Sequence, residues 1–354
     1  MASLNLSDKP VLVTGGGGFL GGAIVRLLLG KGIRVRSFSR RHYPALDALG
    51  VEQVQGDIAH LDAVLAATAG VDLVFHVAAK PGIWGDYQDY HRPNVIGTEN
   101  VLQACREHGV HHLVYTSSPS VVFNGQDMAG VDESVPYPGH WDAHYPQTKA
   151  LAEQMVLQAG RRDLSTIALR PHLIWGPGDN HLAPRIIRRA KRLRKIGPGR
   201  NRVDTIYIDN AAHAHLLAAE NLIARPELSG RVYFISQDEP IVLWEMIDAI
   251  LAAADLPPVK RSLSAPAARC IGTLSEWLYR TFRLPGEPPM TRFVADELAS
   301  AHWFDIGAAK RDLGYRPLVS TQEGLHRLRH WLQTKNKPTD ASDTNQVEAN
   351  PRFP

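Results

Sequence analysis

Residues 11–29 read VLVTGGGGFLGGAIVRLLL: a short apolar run, six glycines clustered around Phe19 and Leu20, then large aliphatics at helical spacing. The run reads as a buried strand and the periodic segment as a helix ending near Gly32. Strand, glycine turn and helix form the first unit of a nucleotide-binding α/β sheet. There one glycine permits the tight turn, a second lets a pyrophosphate approach the backbone, and a third allows close helix–strand packing. Gly15, Gly18 and Gly21 fall at those places, spaced G-x-x-G-x-x-G rather than G-x-G-x-x-G. The helix start adds free N–H groups and the positive end of its dipole. The plainer alternative is a glycine-rich turn that holds nothing, and its place in the first βα unit argues against that.

Moving outward, RVRSFSR is the next strand, and Arg40 and Arg41 close it with no Asp or Glu beside them. An acid at this strand end accepts from the ribose 2′-OH of NAD, whereas arginine accommodates the 2′-phosphate of NADP. The pair therefore predicts NADP(H), with a solvated basic turn as the alternative. Asp57, in QGDI, is placed to contact the adenine. VEQVQGD, DLVFHVAA, HHLVYTSS and STIALRP read as further strands, separated by helical patterns that include a long one from Asp86 to His108 and YPQTKALAEQMVLQA. Such alternation implies right-handed crossovers and a doubly wound parallel sheet covered on both faces.

After Pro171 the pattern loosens. The expected organisation is a dinucleotide-binding domain over 1–175 and a smaller substrate lobe over 176–334, some of whose elements return to the sheet. A disordered tail is expected over 335–354. With 354 residues, 44% hydrophobic and 21% charged, and a net charge of +3, the chain has a globular composition that does not argue for nucleic acid. Two cysteines, Cys105 and Cys270, offer neither a disulfide framework nor a metal set, and no metal is expected. No secretory signal and no run long enough to cross a bilayer is read, so a cytoplasmic location is expected.

HYPQTKA sets Tyr145 four residues before Lys149, on one helix face. A neighbouring ammonium favours the phenolate, so Lys149 is expected to lower the Tyr145 pKa. Tyr145 would then protonate a carbonyl oxygen, or deprotonate an alcohol in the reverse direction. YTSSPSV supplies a serine at a strand end, where open α/β sheets bind ligands. Ser117 and Ser118 both qualify on position, and Pro119 follows directly.

TGGGGFLGG, HVAA, NVIGTENVL, YTSS, YPQTK and LRPHLIWGPGD together resemble the extended short-chain dehydrogenase/reductase family, over about Pro10 to Gly324. The resemblance implies a Rossmann-type domain with a smaller C-terminal substrate lobe. It assigns Ser118, Tyr145 and Lys149 to catalysis, with Lys149 also on the nicotinamide ribose. It assigns Gly15, Gly18, Phe19, Leu20, Gly21, Ala78, Ala79, Asn94, Pro171 and Ile174 to the cofactor and its supporting network, alongside Arg40, Arg41 and Asp57. Within the family the chain is most similar to the 3β-hydroxysteroid dehydrogenase branch. That branch also holds enzymes of sterol 4-carboxylates and bacterial ketoreductases of long-chain olefin biosynthesis. YTSSPSVVFNG and DESVPYP point to the last group.

The function this implies is NADPH-dependent reduction of the 3-keto group of a bulky 2-alkyl-3-oxoalkanoic acid. A sterol or hydroxysteroid dehydrogenase is the alternative, and a non-catalytic NADP-binding redox regulator is the alternative of another class. A homodimer is implied, with membership of a multienzyme assembly or peripheral membrane contact as further readings.

Two C-terminal stretches bear on the substrate. RIIRRAKRLRKIGPGRNR, Arg185 to Arg202, reads as a basic helix, either a solvated face or a surface for a carboxylate or an anionic membrane. CIGTLSEWLYRTFRLP repeats Ile271, Leu274, Leu278 and Phe282 at helical spacing beside Trp277 and Tyr279, which reads as core packing. A lid over an acyl chain and a membrane-surface helix are its other readings. Contact with substrate is one reading of His172, His181 and His144.

Overall fold

The computed structural model describes residues 9–336. Its centre is a seven-stranded parallel sheet. Five strands come from the first third of the chain: β1 (Val11–Thr14), β2 (Val35–Ser39), β3 (Glu52–Gln55), β4 (Leu73–His76) and β5 (His112–Thr116). The spatial order is Arg231–Ile235, Ser165–Pro171, β5, β4, β1, β2, β3. Val11 pairs with Val35 on one side and with Leu73 on the other. The chain winds from β1 to β3 in one direction, then crosses to β4 and proceeds in the other. The crevice between β1 and β4 is thus the topological switch point, where such sheets take ligands.

Both faces of the sheet are covered, which is why β1 and β4 are apolar throughout rather than alternating. Val11 and Val13 pack toward helix α1 (Phe19–Gly30) and the helix Ile208–Ala224. Leu12 packs the other way, with Val64, Val101 and Val156 from helices Leu61–Thr68, Gly97–Glu107 and His144–Gly160. The long helical segment read from Asp86 is present but interrupted. Tyr87–His91 passes into a π-helical turn, Arg92–Ile96, before the regular helix resumes.

The C-terminal lobe is not a contiguous piece of chain. Its four-stranded sheet runs Ile241–Val242, Arg202–Val203, His302–Phe304, Met128–Val131, so a strand from the N-terminal half closes it. In exchange, Arg231–Ile235 and Ile208–Ala224 return to the central sheet. Three readings are corrected here. The basic stretch is not one helix: Leu182–Arg189 ends in a 3₁₀ turn, Ala190–Arg192, and the chain then forms the short strands Lys195–Ile196 and Arg202–Val203. Gly197 and Gly199, at φ +67° and +69°, turn the chain where a helix would have continued. The last helix, Thr321–Asn336, takes in the first two residues of the expected tail, and the rest of that tail lies outside the described residues. The apolar helix Ala265–Thr281 carries Ile271, Leu274 and Trp277 on its exposed side, not in the core. Among the described residues no helix is long and apolar enough to cross a membrane.

Candidate active site

The glycine turn is built by close approach. Gly15 has φ +72° and donates its N–H to Phe38 O at 2.7 Å, tying the end of β1 to β2. A Cβ on Gly21 would stand 2.2 Å from Gly15 O, so α1 rests directly on the turn. Gly18 caps α1 with no side-chain hydrogen bond, and the first helical turn holds no acid. Its N–H groups and dipole therefore face outward as an anion receptor.

They open into a cleft of about 490 Å³ at the switch point. At one end it is lined by Gly15, Gly18, Phe19, Leu20, Gly21, Arg40, Arg41, Asp57, Ala78 and Ala79. At the other it is lined by Ser117, Ser118, Tyr145, Lys149, Pro171 and Ile174. A phosphate-bearing dinucleotide fits this donor set: backbone N–H groups in the middle, two exposed arginines at the ribose end, and a half-buried phenol with a buried amine at the far end.

Asn94 is the exception among the expected cofactor residues, because it does not line the cleft. It is buried behind the wall, accepting from Lys80 N at 2.7 Å and donating to Lys80 O and to Thr148 Oγ1 at 3.2 and 3.0 Å. The π turn swings Asn94 into this bridge between the loop after β4 and the helix of Tyr145.

Ser118 caps the 3₁₀ turn Pro119–Val122, so Pro119 occupies a first-turn position where it loses no hydrogen bond. Ser118 Oγ bonds Ser120 Oγ at 2.9 Å and lines the cleft together with Tyr145. Ser117 Oγ is buried without a hydrogen-bond partner. Burial pushes the Tyr145 pKa up to about 12, opposed by the Ser118 hydrogen bond and reinforced by the charge of Glu297. The expected lowering by Lys149 is not seen. Lys149 Nζ instead donates to Thr116 O at 2.6 Å and lies 4.1 Å from the centre of the Tyr115 ring. Burial pulls its own pKa down to about 7, with the Glu153 charge resisting.

Several supporting residues, His76 of HVAA aside, were not singled out by motif. Glu153 continues the Tyr145–Lys149 row by one more turn. It is buried, accepting from Arg170 Nε and Nη2 at 2.9 and 2.6 Å and from the Tyr137 hydroxyl at 2.6 Å. The i+4 spacing was the available signal; the partner Arg170, on Ser165–Pro171, was not legible. Behind the cleft, Thr14 Oγ1 accepts from Val77 N and Ala78 N, both at 3.1 Å, so its proton points to His76 Nδ1 at 2.9 Å. His76 Nε2–H then donates to Thr98 Oγ1 at 2.9 Å, and Thr98 donates to Asn94 O at 2.6 Å. Burial, then the Lys149 charge, pulls the His76 pKa down to about 3, keeping the ring neutral in this relay. Of the other histidines, His181 lines the cleft and His144 packs edge-on to Tyr87. His172 is buried and bonded to His302, away from the lining.

The chain as a whole is similar to known proteins. Residues 12–264 match the family described as 3-beta hydroxysteroid dehydrogenase/isomerase. The chain belongs to that family. A relative from Stenotrophomonas maltophilia named 2-alkyl-3-oxoalkanoate reductase is 52% identical over 90% of this chain and 98% of its own. A Shewanella oneidensis protein of the same name is 48% identical over 90% of this chain and 84% of its own. A Mycobacterium tuberculosis 3 beta-hydroxysteroid dehydrogenase/Delta 5-->4-isomerase is 39% identical over 92% and 90%. Among solved structures, that of gox2253 superposes with a TM-score of 0.74 at 27% identity, covering 93% of this chain and 99% of the other. MoeE5, solved with UDP-glucose and NAD, gives 0.72 at 25% identity, covering 92% and 99%. As a member of the 3-beta hydroxysteroid dehydrogenase/isomerase family the chain is an oxidoreductase, and a nicotinamide dinucleotide is the cofactor class its cleft fits.

Proposed function

We propose that the protein is an NADPH-dependent reductase of 2-alkyl-3-oxoalkanoic acids, yielding the 2-alkyl-3-hydroxyalkanoic acid. The observation that carries this reading is the convergence of Ser118, Tyr145 and Lys149 at one end of a dinucleotide-sized cleft. The choice of substrate is supported by the 52% identity to a reductase of that name. When bound, NADPH supplies the hydride. Tyr145 supplies the proton to the ketone oxygen, and its high pKa keeps it protonated at neutral pH. Ser118 donates to the same oxygen and orients it. Lys149, held by Thr116 O, would hold the nicotinamide ribose of the bound cofactor and return a proton to Tyr145. Arg40 and Arg41, exposed at the adenosine end, grip the 2′-phosphate.

The test is loss of NADPH absorbance with a synthetic 2-alkyl-3-oxoalkanoic acid, run beside a steroid panel. Turnover of the keto acid is expected, and Tyr145→Phe should lower kcat by about 10²–10⁴-fold while NADPH still binds. Turnover of steroids alone would replace the substrate assignment. Tight NADPH binding with no turnover of either class would favour a regulator.

A further inference from the structure

Among the described residues, seven large apolar side chains are well exposed, and five of them fall between positions 271 and 284. Leu274, Trp277 and Phe282 are 57%, 56% and 62% exposed. They do not stand out because the helix is loosely packed. Its opposite face is tight: a Cβ on Gly272 would stand 2.7 Å from the Thr291 backbone, and buried Glu276 accepts from Arg292 N and Nε at 2.7 and 3.0 Å. On the outer face the Trp277 and Phe282 rings meet edge to face at 6.3 Å, forming one apolar tip.

The surroundings of this tip are cationic. Arg280 and Arg283 are exposed within it, and Glu276, the one acid of the helix Ala265–Thr281, is buried. The segment after it is joined to the basic helix Leu182–Arg189 by Arg185–Glu287 at 2.7 Å and by Arg189 Nη1 to Pro289 O at 3.4 Å. That brings Arg188, Lys191 and Arg192, all exposed, to the same end of the molecule. Aromatic and aliphatic side chains ringed by arginine match the boundary of an anionic bilayer, with rings at the headgroup level and cations on the phosphates. A second copy fits poorly, because a twofold contact would set the arginines of one patch against the same arginines of the other.

We propose that the outer face of Ala265–Thr281, with the turn through Leu284, docks the protein on an anionic phospholipid surface. The docking does not depend on the substrate assigned above. If that assignment holds, the site gains access to a lipid-dissolved chain: Tyr279 and Arg280 pack on Trp84, in the loop that also brings Lys80 and Pro81 to the cleft.

The test is co-sedimentation of the full chain with vesicles of phosphatidylcholine and phosphatidylglycerol, without substrate or NADPH. Binding is expected, weakened about tenfold or more in pure phosphatidylcholine or in high salt. Trp277→Glu with Phe282→Glu should weaken it by about tenfold or more, with far-UV circular dichroism and melting unchanged. If that variant fails to fold, Arg280→Glu with Arg283→Glu should show the same loss. Absence of wild-type binding, or equal binding by the folded variants, overturns the proposal. So does a fall in oligomer size in the variants on sedimentation without vesicles, which would show a protein partner covering the face. A wild type that binds vesicles but reduces no keto acid would defeat the substrate reading and leave the docking intact.

Discussion

At the scale of single residues, the site is set by what burial does to Lys149 and Tyr145. The Lys149 proton is held to about pH 7 in the fold but to about 10.4 in an unfolded chain. A folded pKa lowered in this way costs stability. The cost is fully present below pH 7 and fades as pH rises toward 10. It amounts to at most about 5 kcal/mol, offset by the bond to Thr116 O. Lys149→Met should therefore abolish turnover yet raise stability by about 1–2 kcal/mol at pH 7. Urea unfolding should show that gain vanishing by about pH 9.5. At the other end, Arg40→Ala with Arg41→Ala should weaken NADPH by about tenfold or more through lost charge-assisted bonds and leave NADH nearly unchanged. Fluorescence titration of both cofactors measures this, and equal weakening would refute the 2′-phosphate assignment.

At the scale of elements, α1 and β1 are joined through a turn that leaves no room for a side chain at position 21. With Gly15 O only 2.2 Å from where a Cβ would sit, Gly21→Ala must push the helix off the turn. A loss of about 1–3 kcal/mol is expected in denaturant unfolding, together with weaker dinucleotide binding, because the N–H groups at the helix start move with it. The strand–glycine–helix order was legible because each part has its own local signature. The π turn at Arg92–Ile96 was not: its register shift serves the distant bonds of Asn94 to Lys80 and Thr148, which periodicity cannot register. The basic stretch misled for a related reason. Its charges have helical spacing throughout, and the turns at Gly197 and Gly199 end the pattern only in favour of pairing with Ser262–Leu263 and Ile241–Val242.

Across the whole molecule, the lobe is fastened to the sheet by neutral buried groups. His302 Nε2–H donates to Glu297 O at 2.8 Å, so His302 Nδ1 accepts from His172 Nε2 at 2.6 Å. Burial lowers both pKa values, with mutual repulsion adding to that of His172. Burial also takes His76 to about 3 and His215 to about 4. The unfolded chain binds these protons near pH 6.5 while the fold refuses them. The contribution of these histidines should accordingly be flat above about pH 7 and fall below it, by at most about 1.4 kcal/mol per pH unit for each such histidine. Chemical denaturation at a series of pH values would show this, and His172→Gln with His302→Gln should flatten part of the slope.

Sequence by itself determined the parallel sheet, the glycine turn, the arginine pair and the Tyr145–Lys149 row, because each is written in neighbours a few residues apart. It was the tertiary structure that decided what these groups experience. Ser118 caps a turn while Ser117 Oγ is buried unpaired, Lys149 is spent on Thr116 O, and Glu153 finds Arg170. Met128–Val131 closes the far lobe, and the face carrying Trp277 is left outside the core. Desolvation and long-range pairing depend on which surfaces the finished fold brings together, and local pattern carries no record of that.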